Sequence, residues 1–199
     1  MKGAAVKAAV WVLLVTPLVT AVETEMELAY FKAATKGDLE KVKQLLKEGQ
    51  VTVDHLNEHG ESALFLACEM GHEKIVDFIL GGSISLIDFK TKYGRTPLWM
   101  ASRNGHNSIV RLLVANAHIE EPIRHFYSVL VTLGIAKDFV QLAESFGIED
   151  DDHLKYLSEE NLAPMINSLT ASEKKKFRIS LLWMQKHHNQ KEDKNRDEL

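Results

Sequence analysis

The sequence predicts an all-α protein in which a solenoid of helix-turn-helix units with short hairpins precedes a small helical bundle. The first observation is that glycine recurs at Gly37, Gly71 and Gly105, each 34 residues from the next. A fixed period of this length is typical of stacked structural repeats. The second observation is that this register ends after the third unit, because the position equivalent to Ile87 is the charged Glu121.

The third unit explains why each repeat folds as two helices. Thr96 is a suitable N-cap, and Pro97 follows at the first helical position, where its missing N–H costs nothing. Ala101 is small where a neighbouring helix comes close, and Gly105 can adopt the left-handed conformation that ends a short helix. The apolar face of a second helix is then supplied by Ile109, Val110, Leu112, Leu113 and Val114.

These residues resemble a known family. The stretch "YGRTPLWMASRNGHNSIVRLLVANA" is similar to an ankyrin repeat, "GESALFLACEMGHEKIVDFIL" to a second, and "AYFKAATKGDLEKVKQLL" to a divergent first. Phe65 and Trp99 replace the usual histidine of the family motif. The resemblance covers residues 25–120, divided at about 25–56, 57–90 and 91–120, and implies a curved slab with no inbuilt active site.

The resemblance also implies a ligand surface on the concave side, made of hairpin tips and first helices. Tyr93, Arg95 and Arg103 are the best anchors, because aromatic and arginine side chains dominate interface energetics. The alternative is that these positions are simply solvated. The residues assigned to this surface are Lys36, Glu58, His59, Glu61, Glu69, Met70, Lys92, Tyr93, Arg95, Arg103 and Asn104.

Residues 122–186 follow a different helical pattern. "VLVTLGIAKDFVQLAESFGIEDDDHLKYLSEENL", followed by a long last helix, resembles a sterile alpha motif (SAM) domain. The Gly-His-Arg that this family carries before the last helix is replaced by "TASEKKKFR". The alternative is a degenerate pair of ankyrin repeats followed by a capping helix.

Two charged runs in this segment suggest self-association. Many SAM domains join head to tail through an acidic middle region and the basic start of the last helix, which gives open chains. The alternative is that both runs are solvated surfaces. The residues concerned are Glu149, Asp150, Asp151 and Asp152 on the acidic side and Lys174, Lys175 and Lys176 on the basic side.

The two ends of the chain predict its location. Residues 1–21 read as a signal peptide, with Lys2 and Lys7 before an apolar run that is too short to span a bilayer. Residues 187–199 read as a disordered polar tail that ends on Arg196, Asp197, Glu198 and Leu199, a sequence close to the Lys-Asp-Glu-Leu retrieval signal. We therefore expect residence in the lumen of the endoplasmic reticulum (ER), retrieval by a KDEL-type receptor and no stable membrane span after cleavage. The alternative is a cytosol-facing adaptor with an uncleaved anchor.

The amino-acid composition argues against several classes of function. The chain has 24 basic and 28 acidic residues, and loss of Lys2 and Lys7 with the signal leaves a net charge of about −6, which argues against nucleic-acid binding. The single cysteine, Cys68, allows no intramolecular disulfide, which fits a cytosolic protein more easily than a lumenal one. No catalytic residue, metal ligand or cofactor is predicted. We expect a non-enzymatic adaptor or scaffold, the alternative being an accessory subunit of an enzyme complex.

Overall fold

The computed structural model describes residues 25–49, 51–116, 121–149 and 151–197. The predicted signal peptide, Asp150, Glu198 and Leu199 lie outside these residues. Among the predicted site residues, the backbone alone is described at Asp151, Asp152, Arg196 and Asp197.

Ten α-helices and one 3₁₀ helix make up the regular structure of the described residues, which contain no β-strand. The all-α prediction is therefore confirmed. In chain order the elements are α1 (25–36), α2 (Leu39–Lys47), α3 (Ala63–Met70), α4 (Glu73–Gly82), α5 (Pro97–Arg103), α6 (Asn107–Ala115), α7 (Glu121–Thr132), α8 (Ala136–Ser145), the 3₁₀ helix (Asp151–Tyr156), α9 (Glu159–Ser168) and α10 (Ala171–Asp197).

The start of the first helix is built alike in the second and third units. The Ser62 hydroxyl accepts a hydrogen bond from the Phe65 backbone N–H at 3.1 Å. Thr96 does the same for the N–H of Trp99, also at 3.1 Å. Each cap satisfies a backbone donor that has no partner inside the helix, and Pro97 occupies the first helical position as predicted.

Histidine side chains join one unit to the next. The His106 Nε2–H donates to the backbone carbonyl of Glu69 at 3.0 Å, across the boundary between two units. Its ring lies so close to Gly71 that a Cβ there would be 2.6 Å away, and Gly71 has a φ of 81°. His72 and Gly37 make the same close approach one unit earlier. Glycine is thus required for two reasons, its left-handed backbone and the passing ring.

The three alanines of the repeat register occupy matching buried places. Ala33, Ala67 and Ala101 are all buried in one continuous core. α5 packs between neighbours, contacting both α3 and α8, while α2, α4, α6 and α7 form a second row of successive contacts. The small side chains let successive helices approach closely, which is what the sequence predicted.

Helices α7 to α10 form the bundle that follows the repeats. α10 packs along α7 and also contacts the 3₁₀ helix. Three buried aromatic rings lie at its centre, with Phe126 centred 5.0 Å from Phe139 and 5.9 Å from Phe177. The number and order of helices agree with the resemblance to a SAM domain, whose membership stays a prediction.

The end of α10 differs from the sequence expectation. The helix continues to Asp197, through most of the segment 187–199 that was predicted to be disordered. This segment contains neither proline nor glycine and is rich in Lys, Glu, Gln and Arg, which are good helix formers. A helix already nucleated on the bundle core extends through such residues at little cost.

Among the described residues, no single helix has both the length and the apolar composition needed to cross a bilayer. α7 and α8 meet these criteria only together, as Ile123–Thr132 and Ala136–Ser145, which are bent by 117° relative to each other.

Candidate partner-binding surface

The hairpin tips are two copies of one turn. In the first, the Asn57 N–H donates to the Glu61 carbonyl at 2.9 Å. In the second, the Thr91 N–H donates to the Arg95 carbonyl at 3.0 Å. Each turn includes a glycine with positive φ, which is Gly60 in the first turn and Gly94 in the second. The repeated geometry holds the side chains of consecutive tips in a fixed relation.

The two tips are also bonded to each other. The Lys92 N–H donates to the His59 carbonyl at 3.2 Å, and the Lys92 Nζ donates to the Glu58 carbonyl at 2.6 Å. The Tyr93 ring lies 6.5 Å from the His59 ring, centre to centre, and Tyr93 remains 60 % exposed. The structure therefore brings together these four tip residues predicted from the sequence, with Tyr93 as their largest exposed side chain.

The first helices contribute two exposed residues and one bracing residue. Met70 is 48 % exposed at the end of α3. Asn104 donates from its Nδ2 to the Glu69 carbonyl at 2.8 Å, so this side chain ties α5 to α3. Lys36 is exposed at the end of α1.

Both arginines of the predicted surface are engaged by the C-terminal bundle. The Arg103 Nε lies 2.6 Å from Glu144 Oε1, and both atoms are buried. This contact is an ion pair without a directed hydrogen bond, since neither atom has a hydrogen-bond partner. The Arg95 Nη2 lies 3.5 Å from Glu149 Oε2. Both arginines predicted as anchors are thus paired with carboxylates of α8 and of the segment that follows it, and their part in binding stays a prediction.

The charges around these arginines form two rows across the stack. Glu61 and Arg95 are 34 residues apart, as are Glu69 and Arg103, so they are equivalent positions of consecutive repeats. The bundle adds a carboxylate to each row. The first row is Glu61, Arg95 and Glu149, and the second is Glu69, Arg103 and Glu144.

The Glu69 carboxyl is partly buried among these charges. Partial burial raises its pKa, and the negative charge of Glu61 raises it further. Arg103 and Arg95 lower it, without reversing the shift.

A Thr–His–Glu chain on the first repeat was missed in the sequence. The His55 Nδ1 accepts from the Thr52 backbone N–H at 3.0 Å, with the Thr52 hydroxyl also 3.0 Å away. The His55 Nε2–H therefore donates to Glu27, at 3.1 Å. Because the ring nitrogen facing the hydroxyl is occupied by a backbone donor, this chain braces the hairpin against α1 and does not activate a nucleophile.

The remaining groups with possible chemistry are isolated. Cys68 is fully buried, and burial raises the pKa of its thiol well above the usual range. Among the described residues, no three His, Cys, Asp or Glu side chains come together as metal ligands would. The predicted self-association residues are placed as follows: Glu149 faces Arg95, Lys174 is half-buried, and Lys175 and Lys176 are exposed on the first turns of α10.

Comparison with known proteins identifies the repeated part. Residues 30–123 match a family model for ankyrin repeats, in three copies. This segment is an ankyrin-repeat array. Ankyrin repeats are protein-interaction modules and are typically non-catalytic. A similar protein is the inactive serine/threonine-protein kinase TEX14 of Mus musculus, which is 39 % identical over 61 residues. That match covers 31 % of this chain and 4 % of the relative, so it extends over only a small part of the kinase-related protein.

Proposed function

We propose that this protein is a non-enzymatic adaptor that binds a protein partner on the concave side of its ankyrin repeats. The observation that carries the proposal is the exposed Tyr93 on a hairpin tip that backbone and side-chain bonds fix to the preceding tip. A rigid, half-exposed aromatic side chain offers contact area at low cost in conformational entropy.

The engaged arginines change which residues carry the binding. Arg95 and Arg103 are neutralised by the bundle, so Tyr93 and Met70 supply the apolar contacts. Beside them lies the partly buried Glu69 carboxyl, whose pKa is raised by burial and by the charge of Glu61. The sequence-based choice of an aromatic anchor is retained in this proposal, while the two arginines become supports of the surface.

A selection from a phage-displayed library of random peptides tests this proposal without a known partner. We expect the full chain to enrich a set of sequences, and Met70→Ala with Tyr93→Ala to weaken their binding at least about tenfold. Phe78→Ala with Tyr156→Ala is the matched control, because both are exposed aromatics elsewhere on the surface. Equal binding by the two double variants would show that the selected peptides do not bind the concave face.

We further propose that the adaptor resides in the ER lumen and is retrieved through its last four residues. The support is the agreement of an apolar N-terminal segment with an Arg-Asp-Glu-Leu terminus. Digestion of the protein by protease added to intact microsomes, without detergent, rules this location out and favours the cytosol-facing alternative. Deleting residues 196–199 should cause secretion of a lumenal protein.

Self-association through the bundle is the third part of the proposal. Lys175 and Lys176 are exposed at one end of the bundle, and the acidic run from 149 to 152 precedes α9. Opposite charges at two different places on one molecule favour an open head-to-tail chain. Sedimentation at low salt should reveal species larger than the monomer that dissociate as salt is added. A strictly monomeric protein at high concentration contradicts it.

A further inference from the structure

The outward face of α10 carries two exposed aliphatic side chains. The helix buries Phe177, Leu181 and Met184 against the bundle. On the opposite side, Ile179 and Leu182 are 57 % and 61 % exposed. A surface helix of a soluble domain ordinarily shows polar residues there, so this pair calls for a partner that the described part of the chain does not supply.

Basic residues surround this aliphatic pair. From Lys174 to Lys186 the helix has five basic residues and no acidic one. Lys175, Arg178 and Lys186 recur at helical spacing with Ile179 and Leu182, so they share the outward face, which combines a positive charge with an apolar centre. One neighbouring acid reduces this charge, because Glu159 lies 3.0 Å from the Arg178 Nε.

The face carries a shallow groove of about 370 Å³, and every residue that lines the groove belongs to α10. A folded protein would need a surface shaped to fit this single helix. A fluid bilayer surface deforms around protruding side chains, and Lys and Arg can extend their charged ends to the headgroups while their stems stay among apolar groups.

Trp183 lies at the edge of this face and adds an aromatic side chain to its apolar and basic residues. Its side chain is partly exposed, and its ring meets the His125 ring edge-on at 5.2 Å. Tryptophan is enriched where one side of the ring is apolar and the other meets water, as at the level of lipid headgroups.

We propose that this outward face of α10 docks on the surface of an anionic phospholipid membrane. The helix lies parallel to the bilayer, with Ile179 and Leu182 inserted between headgroups and Lys175 and Lys186 beside anionic lipids. Each basic residue near such a surface strengthens binding about fivefold. The aliphatic pair adds the apolar contribution that distinguishes insertion from attraction at a distance. The ankyrin repeats are then free to hold a partner near the membrane.

Vesicle flotation of the full chain tests this proposal. The vesicles contain phosphatidylcholine alone, or phosphatidylcholine and phosphatidylserine at about two to one. We expect binding to the anionic vesicles only, reduced roughly tenfold or more by Ile179→Ser with Leu182→Ser. Leu28→Ser with Phe146→Ser is the matched control, since these side chains are similarly exposed on other elements.

A second pair of variants separates charge from apolar contact. Lys175→Glu with Lys186→Glu should abolish flotation, whereas Lys47→Glu with Lys74→Glu, exposed lysines on α2 and α4, should change it little. Circular dichroism and the thermal midpoint show that each variant is folded.

The proposal is overturned if the wild type does not bind anionic vesicles or if the α10 variants bind as their controls do. The second result assigns membrane binding to another part of the chain, such as the N-terminal apolar segment, which all variants share. It is also overturned if the α10 variants lose self-association in lipid-free sedimentation while flotation persists, because the face is then a protein contact.

Discussion

The contact between Gly71 and His106 predicts a coupled loss of stability when either residue is changed. An alanine Cβ at position 71 would lie 2.6 Å from the imidazole ring, and φ is 81°. The left-handed conformation alone costs an alanine about 1 kcal/mol. Moving the ring also weakens its 3.0 Å hydrogen bond to the Glu69 carbonyl, which contributes about 1 kcal/mol. We expect Gly71→Ala to lower the free energy of unfolding by about 2–3 kcal/mol.

Gly49 provides a matched control, because it has a φ of 71° and no atom within 4 Å of an added Cβ. Gly49→Ala should therefore cost only the backbone contribution of about 1 kcal/mol. His106→Ala should cost about 1–2 kcal/mol through the lost hydrogen bond and packing. In the double variant Gly71→Ala with His106→Ala, the clash is absent, so the loss should fall short of the sum by about 1 kcal/mol.

Urea unfolding of the full chain, followed by far-ultraviolet circular dichroism, measures these differences. An unchanged slope of free energy against urea shows that the variants unfold from a similar state. Equal losses for Gly71→Ala and Gly49→Ala would refute the steric part of the reasoning. Strict additivity in the double variant would refute the coupling between the glycine and the ring.

Three further predictions concern titratable groups. Burial and a neighbouring carboxylate raise the folded-state pKa of Glu69, so its ionisation lowers the stability of the protein as pH rises above the usual range of a glutamate. Glu69→Gln should therefore stabilise the protein at pH 7, by under about 1 kcal/mol for this partly exposed group. This gain should disappear in acid, where the Glu69 carboxyl is protonated in both the folded and the unfolded protein. The buried Cys68 thiol, with its raised pKa, should react with an alkylating reagent only after unfolding by urea. Arg103→Ala and Glu144→Ala should each lower the free energy of unfolding by about 1 kcal/mol and show coupling in a double-mutant cycle. Independent effects of the two substitutions would mean that the 2.6 Å ion pair contributes nothing to stability.

The repeated part could be predicted from sequence because its geometry is copied at a fixed interval. Ala67 and Ala101 are buried at equivalent positions, and Ser62 and Thr96 make equivalent caps. Each is a local requirement that recurs after 34 residues. A pattern that is both local and periodic is visible in one sequence without any comparison.

The candidate surface was predictable only in part, because some of its contacts join distant segments. The adjacency of Tyr93 and His59 follows from the repeat register, since they are equivalent positions of successive hairpins. The pairing of Arg103 with Glu144 does not, since Glu144 lies in the bundle, where the repeat register no longer applies. No interval within the repeats indicates which helix of the following segment will meet α5.

The end of the chain shows a different limit of sequence reasoning. Polar composition argued for disorder in residues 187–199, yet α10 continues to Asp197. Amino-acid composition indicates whether a segment has enough apolar residues to form a core of its own. Helix extension needs no new core, because the start of α10 is already held against the bundle by Phe177 and Leu181.

The contacts of α8 indicate what the bundle does for the repeats. A solenoid must end on a unit that covers its last apolar surface, and α8 packs on α5 as α5 packs on α3. Lys137 of α8 passes over Gly105 at 3.1 Å from an added Cβ, the place that a histidine occupies over the glycine of each earlier unit.

Contacts of α8 and the segment after it reach both ends of α5. Lys137, near the start of α8, meets Gly105 just after α5, and Glu144, near its end, pairs with Arg103 at the end of α5. Glu149, beyond α8, meets Arg95 just before α5. The charges match only because the bundle places its carboxylates opposite the arginines of the last repeat. α8 thus covers the last first helix of the ankyrin stack, and ion pairs from Glu144 and Glu149 hold Arg103 and Arg95 at this cap.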